Sequence, residues 1–78
     1  MNENYIEQPF ELRSYVKADL VRLYFPGYAY STAIRMFNSW MKLSRLYEND
    51  LGLNSMNKYT RIYTKAQVKK IVDHFGEP

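Results

Sequence analysis

Three observations point to a mostly α fold: a small helix-turn-helix-like bundle of about four helices with a short strand pair or wing. Apolar residues recur at helical spacing in separate stretches, and Pro26, Gly27, Gly52 and Gly76 fall between or after those stretches rather than inside them. One short run, Tyr59 to Tyr63, is instead rich in β-branched and aromatic residues and reads as a strand. The chain has 78 residues, enough for one domain, and its 46% hydrophobic and 24% charged residues are values of a soluble globular protein. It has no Cys, so disulfides and thiolate metal sites are excluded, and its aromatic content of 17% must supply core area instead.

The elements follow in order. Residues 1–9 are expected to be a flexible leader, and residues 10–78 a single helical domain. Phe10 to Tyr15 alternates weakly and is at best a short extended segment. Val16 to Tyr24 reads as a helix with Val16, Leu20, Val21, Leu23 and Tyr24 on an apolar stripe, and Lys17, Asp19 and Arg22 outside it. Pro26-Gly27 stops that helix and pushes Phe25 out of helical geometry. Ser31 is expected to N-cap the next helix. At steps of about 100° from Ser31, Trp40, Ala33, Ser44, Phe37, Met41 and Ile34 span about 180–300°, and Ser31, Lys42, Arg35, Ser39 and Thr32 about 0–100°. Ser44 is expected to end this helix and cap another over Arg45 to Leu51, closed by Leu51-Gly52-Leu53; one continuous helix over 32–51 competes with that reading.

Asn54 to Lys58 is turn-like. In the strand that follows, Tyr59 and Tyr63 are expected inward and Arg61 outward. Thr64 and Gln67 match the capping box of a last helix, whose Val68, Ile71, Val72 and Phe75 share one face and which Gly76 ends. The expected core is Leu20, Tyr24, Ala33, Phe37, Trp40, Met41, Leu46, Leu51, Tyr63, Val68, Ile71, Val72 and Phe75.

The net charge is +3, unevenly spread. Residues 13–45 carry Arg13, Lys17, Arg22, Arg35, Lys42 and Arg45 against Asp19, and residues 58–70 carry Lys58, Arg61, Lys65, Lys69 and Lys70 with no acid; the ends and the middle are acidic. If the two basic blocks meet in space they form a face that attracts polyanions; apart, they are ordinary solvated surface.

Catalysis is not expected. The single His74 lies near the chain end, Ser31, Ser39 and Thr64 have no evident base, and no Gly-rich phosphate loop exists. No metal site and no cofactor are expected, no stretch approaches a membrane span, and the polar, acidic start is no secretory signal, so a cytoplasmic location is expected.

The layout of helix, turn, amphipathic helix and Tyr/Arg strand suggests double-stranded DNA binding by a regulator of transcription or of a mobile element. The candidate nucleic-acid-binding residues are Ser31, Thr32, Arg35, Ser39 and Lys42 on the second helix, Lys58 and Arg61 in the turn and strand, and Lys65 at the start of the last helix. Arg35 has the planar fork that suits guanine, Ser and Thr can contact bases or phosphates, and Lys58, Arg61 and Lys65 suit phosphate. Tyr28 and Tyr30 read first as turn residues packing on the core. The alternative is a protein-interaction module or homodimer that binds no nucleic acid and uses Tyr28, Tyr30 and Tyr59.

Arg13-Ser14-Tyr15, Leu20, Leu23-Tyr24-Phe25-Pro26, Ser31-Thr32-Ala33, Trp40, Thr64 to Val68, Ile71-Val72 and Phe75 to Pro78 form a pattern over residues 10–78. It resembles a family of short bacterial proteins known only as a domain of unknown function. That resemblance implies a small helical fold and brings no activity with it. Arg61-Ile62-Tyr63-Thr64, after a helix-turn-helix and before a helix, is more weakly similar to the DNA-binding heads of MerR-type regulators and phage excisionases.

Overall fold

The computed structural model describes residues 10–47 and 55–78. Tyr15–Val16 (β1) and Ile62–Tyr63 (β2) pair antiparallel, with Tyr15 opposite Tyr63 and Val16 opposite Ile62. The pleat sends Tyr15 and Tyr63 into the core and leaves Val16 and Ile62 exposed. The Ser14 hydroxyl donates to the Tyr63 carbonyl at 2.8 Å and the Lys17 N–H to the Arg61 carbonyl at 2.7 Å, tying both ends of the ladder.

The strand expected over 59–63 is confined to its last two residues because a turn precedes it. The Asn57 side chain accepts the Tyr59 N–H at 2.7 Å, and the Asn57 carbonyl accepts the Thr60 N–H at 3.0 Å. Tyr59 leaves the strand register and is 77% exposed, so its expected inward position is corrected; Arg61 is exposed as expected, although the two-residue period places it on the face of Tyr63, because pairing begins only at Ile62.

Helix α1 spans Lys17–Tyr24, with Leu20 and Val21 fully buried. Phe25, which precedes Pro26, leaves helical geometry at φ −129° and ψ 61°. Gly27 has a φ of 87°, a left-handed turn that favours glycine. Helix α2 spans Tyr30–Leu43 and starts before the expected Ser31 cap. Ala29 stands at the cap in an extended conformation, its carbonyl taking the Thr32 and Ala33 N–H groups at 3.0 and 2.9 Å, so Ser31 lies within the first turn.

A Schellman motif ends α2. Arg45 has a φ of 65°, its N–H donates to the Lys42 carbonyl at 3.0 Å, and the Leu46 N–H donates to the Met41 carbonyl at 2.9 Å. That reversal rules out one helix through residues 32–51, and it makes Ser44 a C-cap rather than the N-cap of another helix. Residues 45–47 of the expected Arg45 to Leu51 helix lie in this turn. Residues 48–51 and the Leu51-Gly52-Leu53 cap lie outside the described residues, which hold three helices rather than four.

Helix α3, Lys65–Phe75, has the full capping box: the Thr64 hydroxyl accepts the Gln67 N–H at 3.2 Å and the Gln67 side chain accepts the Thr64 N–H at 2.8 Å. Gln67 is buried and also donates to the Ser55 carbonyl at 2.9 Å.

Leu20, Ala33, Phe37, Met41, Tyr63, Val68 and Ile71 are buried as expected, and Tyr24, Leu46, Val72 and Phe75 pack against them. Tyr15, Phe25 and Met56 join the core unannounced, and Leu51 lies outside the described residues. Trp40 sits on the rim at 36% exposure, its ring 4.5 Å from Phe25 and 5.0 Å from Phe75. Tyr24 meets Phe37, Trp40 and Phe75 at 6.0–6.4 Å and donates its hydroxyl to the Gly76 carbonyl. Its burial, with the Glu77 charge adding, pushes that hydroxyl up to about 12.

Candidate nucleic-acid interface

A groove of about 590 Å³ opens between α2 and the 58–62 segment. Its lining is Val16, Lys17 and Ala18 at the start of α1, Tyr30, Ile34 and Asn38 of α2, and Lys58 to Ile62. Tyr30, Ile34 and Asn38 are four apart, so they stack in one row along the helix. Among the described residues the lining contains three cations, Lys17, Lys58 and Arg61, and no carboxylate. Val16, Tyr30, Tyr59 and Ile62 add exposed apolar surface between those charges.

Lys17 is the residue that joins the walls. It is only 6% exposed. Its ammonium donates to Asn38 Oδ1 of α2 at 2.9 Å and to the Lys58 carbonyl at 2.8 Å. Asn38 Oδ1 also accepts the Tyr47 hydroxyl at 2.6 Å, and the Tyr47 ring lies 5.4 Å from the Lys17 nitrogen. No carboxylate among the described residues pairs with Lys17, and burial alone lowers its pKa to about 8. Two neighbouring phenols are pushed the other way. Burial raises Tyr47, and burial reinforced by Tyr47 raises Tyr63, whose hydroxyl has no hydrogen-bond partner among the described residues. Along the rim, the Arg22 guanidinium lies 4.9 Å from the Tyr30 ring and the Lys58 ammonium 5.2 Å from the Tyr59 ring.

Of the residues singled out from sequence, Lys58 and Arg61 line the groove. Ser31, Arg35 and Ser39 are exposed and form the adjacent row, each about 100° around α2 from Tyr30, Ile34 and Asn38 in turn; Lys42, also exposed, continues the Tyr30 row one turn beyond Asn38. The half-buried Thr32 lies further around the helix. Lys65 opens α3 and is exposed, outside the groove lining.

The residues singled out from sequence for DNA binding leave out Lys17, which was placed outside the apolar stripe, together with Ile34 and Asn38; Tyr30 entered only as a turn residue and in the protein-interaction alternative. The four-residue spacing of those α2 residues was a readable signal. The role of Lys17 was not, because its partners Asn38 and Lys58 are 21 and 41 residues away.

Among the described residues no helix is long and apolar enough to cross a membrane, and no three His, Cys, Asp or Glu side chains could hold a metal ion. The features above define a small, mostly helical domain with a two-stranded sheet and a cationic groove. The family described as "Domain of unknown function (DUF4248)" matches residues 11–78, and the chain belongs to it. No curated protein and no solved structure matches the chain.

Proposed function

We propose that this protein binds double-stranded DNA, with the N-terminal half of α2 facing base edges and the 57–62 segment acting as a wing on the flanking backbone. The observation that carries the reading is the groove: Lys58 and Arg61 stand across from α2, Lys17 lies between, and no carboxylate among the described residues lines it. Cations beside an exposed helix face suit a polyanion. Ser31 and Arg35 are exposed on the N-terminal half of α2 beside the groove row, so they are the candidates for base contact, with Lys42 extending the phosphate contacts. The order of α1, turn, α2 and then Arg61-Ile62-Tyr63-Thr64 before α3 supports the likeness to MerR-type and excisionase heads. Such a role belongs in the cytoplasm, as a regulator of transcription or of a mobile element.

Fluorescence anisotropy with a labelled duplex over a salt series tests this. Binding is expected to weaken steeply with salt; Lys58→Ala lowers the slope by about 1 for all sequences alike, and Arg35→Ala changes sequence preference. No binding at ~50 mM salt would overturn the reading. A second reading, a protein-interaction surface, is favoured by one observation: Tyr59 and Ile62 are 77% and 62% exposed beside Tyr30 and Val16. Self-association that covers these residues and excludes DNA would establish it instead.

A further inference from the structure

The groove wall sets cations beside apolar side chains: Lys58 next to Tyr59 and, after Thr60, Arg61 next to Ile62. A sugar–phosphate strand sets anionic phosphates beside less polar deoxyribose rings. We propose that the groove seats one phosphodiester strand, with Lys58 and Arg61 on the phosphate oxygens and Lys17, buried behind them, as a positioning residue that supplies a fixed cation and ties the wing to α2. The inference rests on the DNA-binding reading and adds to it the part of the ligand that enters the groove.

The ammonium of Lys17 bridges the two walls through Asn38 Oδ1 and the Lys58 carbonyl. Its distance from any counter-charge leaves it the one buried cation without an anion among the described residues. Among the described residues the groups around it are Asn38, Tyr47, Tyr30 and Tyr59, the backbone and side chains of Lys58 and Arg61, and Tyr63 beyond Tyr47, none of them a carboxylate. A seated phosphate adds a negative charge and favours the protonated lysine. By linkage, binding then takes up a proton wherever free Lys17 is neutral, and affinity falls as pH rises past about 8.

The direct test is an NMR titration of the Lys17 side chain in the unmodified protein, alone and with a short abasic deoxyribose–phosphate oligomer. The expected result is an upward move of its pKa by about one unit or more, with amide shifts at Lys58, Arg61 and Ile62. In parallel, duplex affinity should fall about ten-fold between about pH 7.5 and about pH 9.5. Lys17→Met should bind more weakly with a flat profile in that range, and Lys17→Arg should recover affinity while staying flat. The flat variants separate Lys17 from the α-amino group, which titrates nearby.

Duplex binding with an unmoved Lys17 pKa would overturn the seat and leave the DNA reading standing. No duplex binding, but a Lys17 response to the abasic oligomer, would leave the seat standing and remove the duplex. A response to poly-glutamate in place of the oligomer would overturn the proposal in favour of an acidic protein partner.

Discussion

The two ends of α1 are fastened by opposite chemistry. At its C-terminal end, Tyr24 and Phe25 join Phe37, Trp40 and Phe75 in ring contacts 4.5–6.4 Å apart. At its N-terminal end, Lys17 holds α2 and the 57–60 turn with two hydrogen bonds across an open groove. Ring packing gains chiefly by excluding water, a non-directional effect. A buried lysine with neutral partners spends hydration to fix geometry, an arrangement that suits a site more than a core. The aromatic end accounts for the stability of a chain without disulfides, and the groove end carries the charge that a ligand would meet.

Removing the ring both ends share breaks the comparison most severely. Phe37 is fully buried and lies 6.3 Å from both Tyr24 and Tyr63. Phe37→Ala should cost about 3–5 kcal/mol, as much as a core of this size supplies, so urea unfolding should lose its cooperative transition. Phe75→Ala strikes the aromatic end alone. It removes one half-buried ring from contact with Trp40 and Tyr24, and should cost about 2 kcal/mol in the same assay while leaving groove-side amide shifts unchanged.

Lys17 and the buried phenols, Tyr24 at one end and Tyr47 and Tyr63 beside the groove, answer pH in opposite directions. Lys17 has a pKa of about 8 in the fold and 10.5 outside it, so between those values the unfolded chain holds the extra proton and stability rises with pH. Tyr24 sits at about 12 in the fold against 10.0 outside, so above pH 10 the unfolded chain loses a proton first and stability falls. Thermal melts should therefore improve from about pH 8 toward about pH 10 and worsen beyond it. Lys17→Met should abolish the rise and keep the fall. The smallest effect concerns neither end: Arg45→Gly at the positive-φ cap of α2 should stabilise the fold by about 0.5 kcal/mol, read from the urea midpoint.

The same contrast explains what was legible in the sequence. The aromatic end is built from helical periodicity, so Leu20, Phe37, Ile71 and the Thr64–Gln67 capping box could be read from local spacing alone. The end of α2 could not, because Arg45 takes a left-handed position that normally announces itself as glycine. The groove was half legible. Lys58 and Arg61 stood out as basic residues in a turn and a strand, whereas Lys17 looked like one more solvated charge on the polar side of α1. Its burial comes from α2 and the turn closing over it, a tertiary event that no window of neighbouring residues encodes.

The central claim, that the groove end and not the aromatic end meets the ligand, is tested most directly by amide chemical-shift mapping of the ¹⁵N-labelled protein on adding duplex DNA. Shifts gathered on Lys58 to Ile62, Tyr30, Ser31 and Arg35, with Trp40 and His74 to Glu77 still, are the expected result. Shifts gathered around Trp40 and Phe75, or none at all at low salt, would contradict it.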